Sequence, residues 1–95
     1  MDREAAILLL ESTHSFPSNH PFHVIVRSDE AVIAEVSASI AALLGLEDLR
    51  EHTVRVPSKQ GTYTSLRLSL PCGSAAVVLD IYAHLTALPA VIRYF

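Results

Sequence analysis

Residues 57–70 read PSKQGTYTSLRLSL, and this stretch decides the fold. In its second half, leucines alternate with serines and Arg67. Successive side chains on a strand point to opposite faces, so the alternation predicts a strand with one buried face and one uncovered face. The polar residues before it, which include Gly61, predict a turn from an earlier strand that ends at Pro57. The whole stretch therefore predicts a β-hairpin.

Periodicity outside this hairpin predicts the remaining elements. In chain order they are a strand over 22–27, a helix capped by Ser28 and ended by Gly45, strands over 52–56 and 62–70, a helix capped by Ser74 and ended by Pro89, and a strand over 90–95. Because βαβ crossovers are right-handed, this order predicts an α+β ferredoxin-like βαββαβ sandwich. Its four-stranded antiparallel sheet has the first and third strands at the centre and two helices on one face. The other face stays open unless a partner covers it.

The apolar positions of these elements predict one core. Its predicted members are Val24, Val36, Ile40, Leu66, Leu68, Leu70, Ile81 and Leu85. The last strand leaves two alternatives open, since either Ile92 and Tyr94 or Val91 and Phe95 point inward.

The N-terminal residues predict a short amphipathic helix within residues 1–13, which docks through Ile7, Leu8 and Leu10. The prolines and small polar residues between positions 14 and 21 predict a turn-rich connector after it. We therefore divide the chain into an N-terminal segment and connector, 1–20, and a ferredoxin-like domain, 21–95.

Composition narrows the class of protein. Hydrophobic residues make up 51% of the 95 residues, which is enough for a core in one domain, and the formal net charge is -3. A negative chain has no general attraction to nucleic acid or to an anionic membrane. The single cysteine, Cys72, excludes an internal disulfide and suits a reducing compartment. The apolar run 5–10 is too short to span a bilayer, so we expect a cytoplasmic protein without membrane contact.

No residue pattern in the sequence indicates catalysis, a metal or a cofactor. The five histidines lack the helical spacing that brings two imidazoles onto one ion, and Cys72 has no second cysteine or nucleophile signature. Ser58-Lys59-Gln60-Gly61 precedes a strand, whereas a phosphate-binding loop precedes a helix. The acidic residues between 47 and 51 have few apolar neighbours to form a cleft. We expect no enzyme activity, no metal and no cofactor.

Several short motifs resemble the YbeD-like family of small bacterial proteins. They are Phe16-Pro17, the strand 22–27, Pro57-Ser58 with Gly61-Thr62-Tyr63, and Ile81-Tyr82. The resemblance covers about residues 16–95 and implies a ferredoxin-like domain of unknown function, similar in topology to ACT regulatory domains. It implies no catalytic residue.

The chain departs from the family at two places. Gln60 stands where the family tends to a basic residue, and Val26-Arg27 stand where it tends to a glycine. ACT domains commonly bind amino acids close to a glycine at that turn, so its absence counts against an amino-acid effector.

Candidate binding residues lie on the predicted open face and at the hairpin tip. They are Arg27, Arg55, Lys59, Tyr63 and Arg67, with His23 nearby. Arginine and tyrosine are typical of interface hot spots. We therefore expect a non-enzymatic regulatory or protein-interaction module that binds a protein partner or a second copy of itself. The alternatives are an ACT-like sensor of a small-molecule effector and an RNA-binding protein that uses the open face.

Overall fold

The computed structural model describes residues 2–95. Its elements are α1 (Arg3–Thr13), β1 (Ser18–Arg27), α2 (Glu30–Leu44), a 3-10 turn (Arg50–His52), β2 (Thr53–Pro57), β3 (Tyr63–Cys72), α3 (Ala75–Ala87) and β4 (Arg93–Tyr94). The four strands form one antiparallel sheet in the order β2-β3-β1-β4. The predicted ferredoxin-like fold is confirmed, with β1 and β3 at the centre.

One core lies between the sheet and the two long helices. It joins alternate residues of β1 and β3, such as Val24 and Leu66, to apolar residues of α2 and α3. Both helices therefore cover the same face of the sheet. The eight predicted core residues are all buried, with exposed fractions of 3% or less.

The helix ends agree in part with their predictions. Gly45 ends α2 in the left-handed conformation, at φ 69°, as predicted. The prediction that Ser28 caps α2 is wrong, because the carboxylate of Asp29 accepts the backbone N–H groups of Ala31 and Val32. The hydroxyl of Ser28 instead lies 2.8 Å from that of Thr64, on β3. Ser74 occupies the N-cap position of α3, although its side chain accepts no capping hydrogen bond.

The two central strands are longer than predicted. β1 begins at Ser18 instead of Phe22, and β3 continues to Cys72, so both include a proline. The backbone of His23 exchanges hydrogen bonds with that of Phe95, so the backbone N–H and C=O groups of odd-numbered residues in β1 point toward β4. The nitrogen of Pro21 points to the same side, but β4 does not extend that far. By the same alternation, the nitrogen of Pro71 points toward the β2 side, where β2 has already ended. Neither proline therefore removes a ladder bond.

β4 is shorter than the predicted strand 90–95. Tyr94 is paired with Val24 and packs against the core, so Arg93 and Phe95 lie on the other face. Neither predicted alternative holds as a whole, because Val91 and Tyr94 pack against the core, whereas Ile92 is 55% and Phe95 59% exposed. Inward-facing alternation is therefore limited to the last residues of the chain, where β4 lies beside β1.

The N-terminal helix is confirmed, but one of its docking residues is not. Leu10 packs against the core and Ile7 is half-buried, whereas Leu8 is 69% exposed. Leu10 lies one turn beyond Ile7 on the same helix face, and Leu8 lies off that face. An ion pair of 2.9 Å between Arg3 and Asp80 fastens α1 to α3. The division of the chain after residue 20 stays a prediction.

Candidate functional site

The sheet face opposite the helices forms the candidate site, which we call the open face. Paired residues of an antiparallel ladder point to the same side, so the pairs Arg27–Tyr63, Val54–Arg67 and Ile25–Arg93 all lie on it. The open face includes His23, Ile25, Arg27, Val54, Val56, Tyr63, Ser65, Arg67, Arg93 and Phe95, and the pairs Pro21–Ser69 and Asn19–Pro71 continue it. It therefore combines apolar and aromatic side chains with three arginines.

Apolar side chains of the open face are accessible to solvent. Val54 is 63% exposed, Phe95 59% and Tyr63 39%. Near the hairpin tip, a groove of about 340 Å³, which we call the tip groove, opens on this face. Its lining residues are Ile25, Val56, Pro57, Ser58, Tyr63 and Ser65. The open face thus offers a concave apolar position beside exposed cations.

Three of the five predicted binding residues come together on the open face. The guanidinium carbon of Arg27 lies 5.8 Å from the centroid of the Tyr63 ring, within the range of a cation–π contact. Arg67 lies on the same face, paired with His23 on β1 and Val54 on β2. Lys59 is exposed in the turn between β2 and β3, next to this surface.

The predicted position of Arg55 on the open face is wrong. Arg55 is paired with Leu66, so its side chain lies on the helix side of the sheet. There its Nη1 donates to both carboxylate oxygens of Glu30, at 2.8 and 2.9 Å. β2 is an edge strand, and solvent reaches both of its sides there. A charged residue is therefore tolerated on either side, and the sequence pattern does not determine which.

Several residues of the open face were missed as binding candidates. Among them are Val54, Val56, Arg93 and Phe95. Val54 and Val56 are valines on a strand, which usually indicates a core position. The facing of Arg93 and Phe95 depends on their pairing with β1, so their own short segment carries no sufficient signal.

Other reactive groups lie away from the open face. Cys72 is buried at the end of β3, and burial raises the pKa of its thiol. Hydrogen bonds from Arg50 lower the pKa of the Asp48 carboxyl, whereas a general acid at neutral pH needs a raised pKa. Within residues 2–95, no group of three or more His, Cys, Asp or Glu side chains is arranged to hold a metal ion. No helix in this range is long and apolar enough to cross a membrane.

His20 connects the N-terminal segment to the core. It is 7% exposed, and its ring contacts His14 at 4.9 Å and Phe22 at 5.2 Å between centroids. Burial, and then the charge of His14, lower the pKa of His20. The predicted connector between 14 and 21 therefore contains a buried residue, which its turn-forming composition did not indicate.

The His20 environment predicts a loss of stability in acid. The pKa of His20 is lower in the folded state than in the unfolded state, where it is about 6.5. The contribution of neutral His20 to stability is therefore complete above this unfolded pKa, and it is lost as the pH falls through and below this value. Between neutral and mildly acidic pH, the denaturant midpoint of the wild type should fall further than that of His20→Leu. The midpoint of His14→Gln should fall less than that of the wild type, but more than that of His20→Leu. Parallel pH dependence of the wild type and His20→Leu would contradict this prediction.

Together, the fold and this surface define a small ferredoxin-like α+β protein with an uncovered sheet face. The chain belongs to the family described as "Protein of unknown function (DUF493)", whose family model matches residues 11–95. The resemblance to the YbeD-like family fits this match. Neither curated proteins nor solved structures gave a match to the chain.

Proposed function

We propose that this chain is a non-enzymatic regulatory or protein-interaction module that binds a protein partner on the open face. The observation that carries the proposal is the set of accessible apolar side chains on this face. Single exposed apolar residues are common, whereas contiguous patches indicate interaction surfaces. Val54, which is 63% exposed, lies two residues from Val56, and Val56 lines the tip groove together with Ile25. Phe95, which is 59% exposed, lies at the opposite edge of the sheet.

The chemistry of the other groups supports a binding role over catalysis. The raised pKa of the Cys72 thiol disfavours the nucleophilic thiolate. The lowered pKa of Asp48 favours a carboxylate held by Arg50. A single buried thiol suits the cytoplasm, which we propose as the location.

The variants that test this proposal remove the apolar side chains without changing the fold. Val54→Ser/Tyr63→Ser alters the open face, and Leu43→Ser alters a 42% exposed leucine of α2 as the control. Wild-type and variant proteins would be immobilised and exposed to cytosol from the native host, with captured proteins measured by quantitative mass spectrometry.

We expect the proteins bound by the wild type to be retained by Leu43→Ser and lost from the double variant. Retention of the same proteins by both variants would contradict a role for the open face. Specific capture of RNA, or a thermal shift with a small metabolite that survives in the double variant, would support the RNA-binding or sensor alternative.

A further inference from the structure

The ion pairs divide the basic side chains into two groups. Three of the seven bind carboxylates on the helix side or at the edge of the sheet: Arg3 with Asp80, Arg50 with Asp48, and Arg55 with Glu30. The other four have no carboxylate within 4.0 Å among residues 2–95: Arg27, Lys59, Arg67 and Arg93. All four lie on the open face or at the adjoining hairpin tip. The cations that lack an internal partner are therefore concentrated on one surface.

The acidic side chains have the opposite distribution. All ten lie outside the four strands, on the helices and the segments next to them: Asp2, Glu4, Glu11, Asp29, Glu30, Glu35, Glu47, Asp48, Glu51 and Asp80. The chain has a formal charge of -3, yet the side chains of its open face include arginines and no carboxylate. A local field of one sign steers ligands of the opposite sign toward it.

We propose, building on the function proposed above, that the partner presents an acidic segment with one apolar side chain. The acidic groups would meet Arg67 and Arg93, and the apolar side chain would enter the tip groove. Arg27 is held over the Tyr63 ring at the rim of this groove, where its free N–H groups can bind a carboxylate. Charge complementarity would then determine orientation, while the groove supplies apolar contact.

Charge also distinguishes this occupant from a second copy of the chain. A symmetric dimer would press together two copies of the open face, each with Arg27, Arg67 and Arg93 and no carboxylate side chain to pair with the arginines of the other. Like charges across an interface are unfavourable. A protein segment also suits the groove better than RNA does, because Tyr63 is the one aromatic ring among its lining residues, whereas Ile25, Val56 and Pro57 supply aliphatic contacts.

The test is an NMR titration of the full, isotope-labelled chain with short synthetic probes. One peptide has glutamates around a single phenylalanine, a second has lysines in their place, and a third keeps the glutamates but has glycine for phenylalanine. A short oligouridylate is the nucleic-acid probe. Backbone amide shifts report both affinity and the surface that each probe contacts.

We expect the acidic phenylalanine peptide to bind most tightly and to shift amides of the open face. Arg67→Glu/Arg93→Glu should weaken it by about tenfold or more, since two attractions become repulsions. The control variant Arg3→Glu/Arg50→Glu changes the total charge by the same amount, but at positions away from the open face. It should leave binding unchanged. Should the first variant not fold, Arg67→Gln/Arg93→Gln takes its place, with a smaller expected loss.

Each of the other outcomes would contradict a defined part of the proposal. If the lysine peptide binds the open face as tightly as the acidic peptide, the claim that the partner is acidic is wrong, but the proposed function stands. Equal binding of the glycine peptide removes the apolar anchor. Tighter binding of oligouridylate on the open face, or no shift there with any probe, overturns both the inference and the proposed function.

Discussion

Leu68→Ala should lower the free energy of unfolding by about 2–5 kcal/mol, the range for truncation of a buried leucine. Leu68 is 3% exposed and lies on central strand β3, where its side chain packs in the core beneath α2 and α3. Removing its branched end leaves a cavity that neighbours fill only in part. Urea unfolding followed by circular dichroism would measure the loss.

Arg67→Ala is the matched control on the adjacent position of the same strand. Arg67 is exposed on the open face and has no ion pair within residues 2–95, so the expected change lies within about 0.5 kcal/mol. The two variants should thus separate stability from binding. Equal losses for Leu68→Ala and Arg67→Ala would contradict the register of β3, because a one-residue slip exchanges the faces.

The sequence predicted the core and the strand order because burial on the central strands is one-sided. Leu66, Leu68 and Leu70 alternate with polar residues, and helix-period apolar positions such as Val36 and Ile40 face them. Local pattern and global packing agree at these positions, so short-range rules were sufficient.

Predictions failed where tertiary pairing decides the structure. Pro21 and Pro71 suggested strand ends, yet both nitrogens face edges without a neighbouring strand. The facing of Arg55 failed for a related reason, since an edge strand tolerates charge on either side. In both cases the missing information was which strand lies alongside.

The candidate site was predicted in part. Arg27, Tyr63 and Arg67 come together as expected, because they alternate with core residues on the central strands. Arg93 and Phe95 join them only through the pairing of β4 with β1. The sequence also did not show which basic side chains form ion pairs, because some of these pairs join residues far apart in the chain, such as Arg3 and Asp80.

Contact between the open face and a protein partner is the central claim, and photo-crosslinking in the native host tests it most directly. A photoreactive p-benzoylphenylalanine would be introduced at Val54, on the open face, and separately at Leu43, on α2. Both side chains are exposed, 63% and 42%, so both variants should fold and present the probe to solvent. After irradiation, crosslinked products would be separated by mass and identified.

The account predicts a discrete protein adduct from position 54 that is absent or much weaker from position 43. The same adduct should be weaker when Arg67→Glu is combined with the probe at Val54, because one attraction to the acidic partner becomes a repulsion. An adduct formed from Leu43 and not from Val54 would place the interaction on the helices and contradict the claim that the open face is the binding surface.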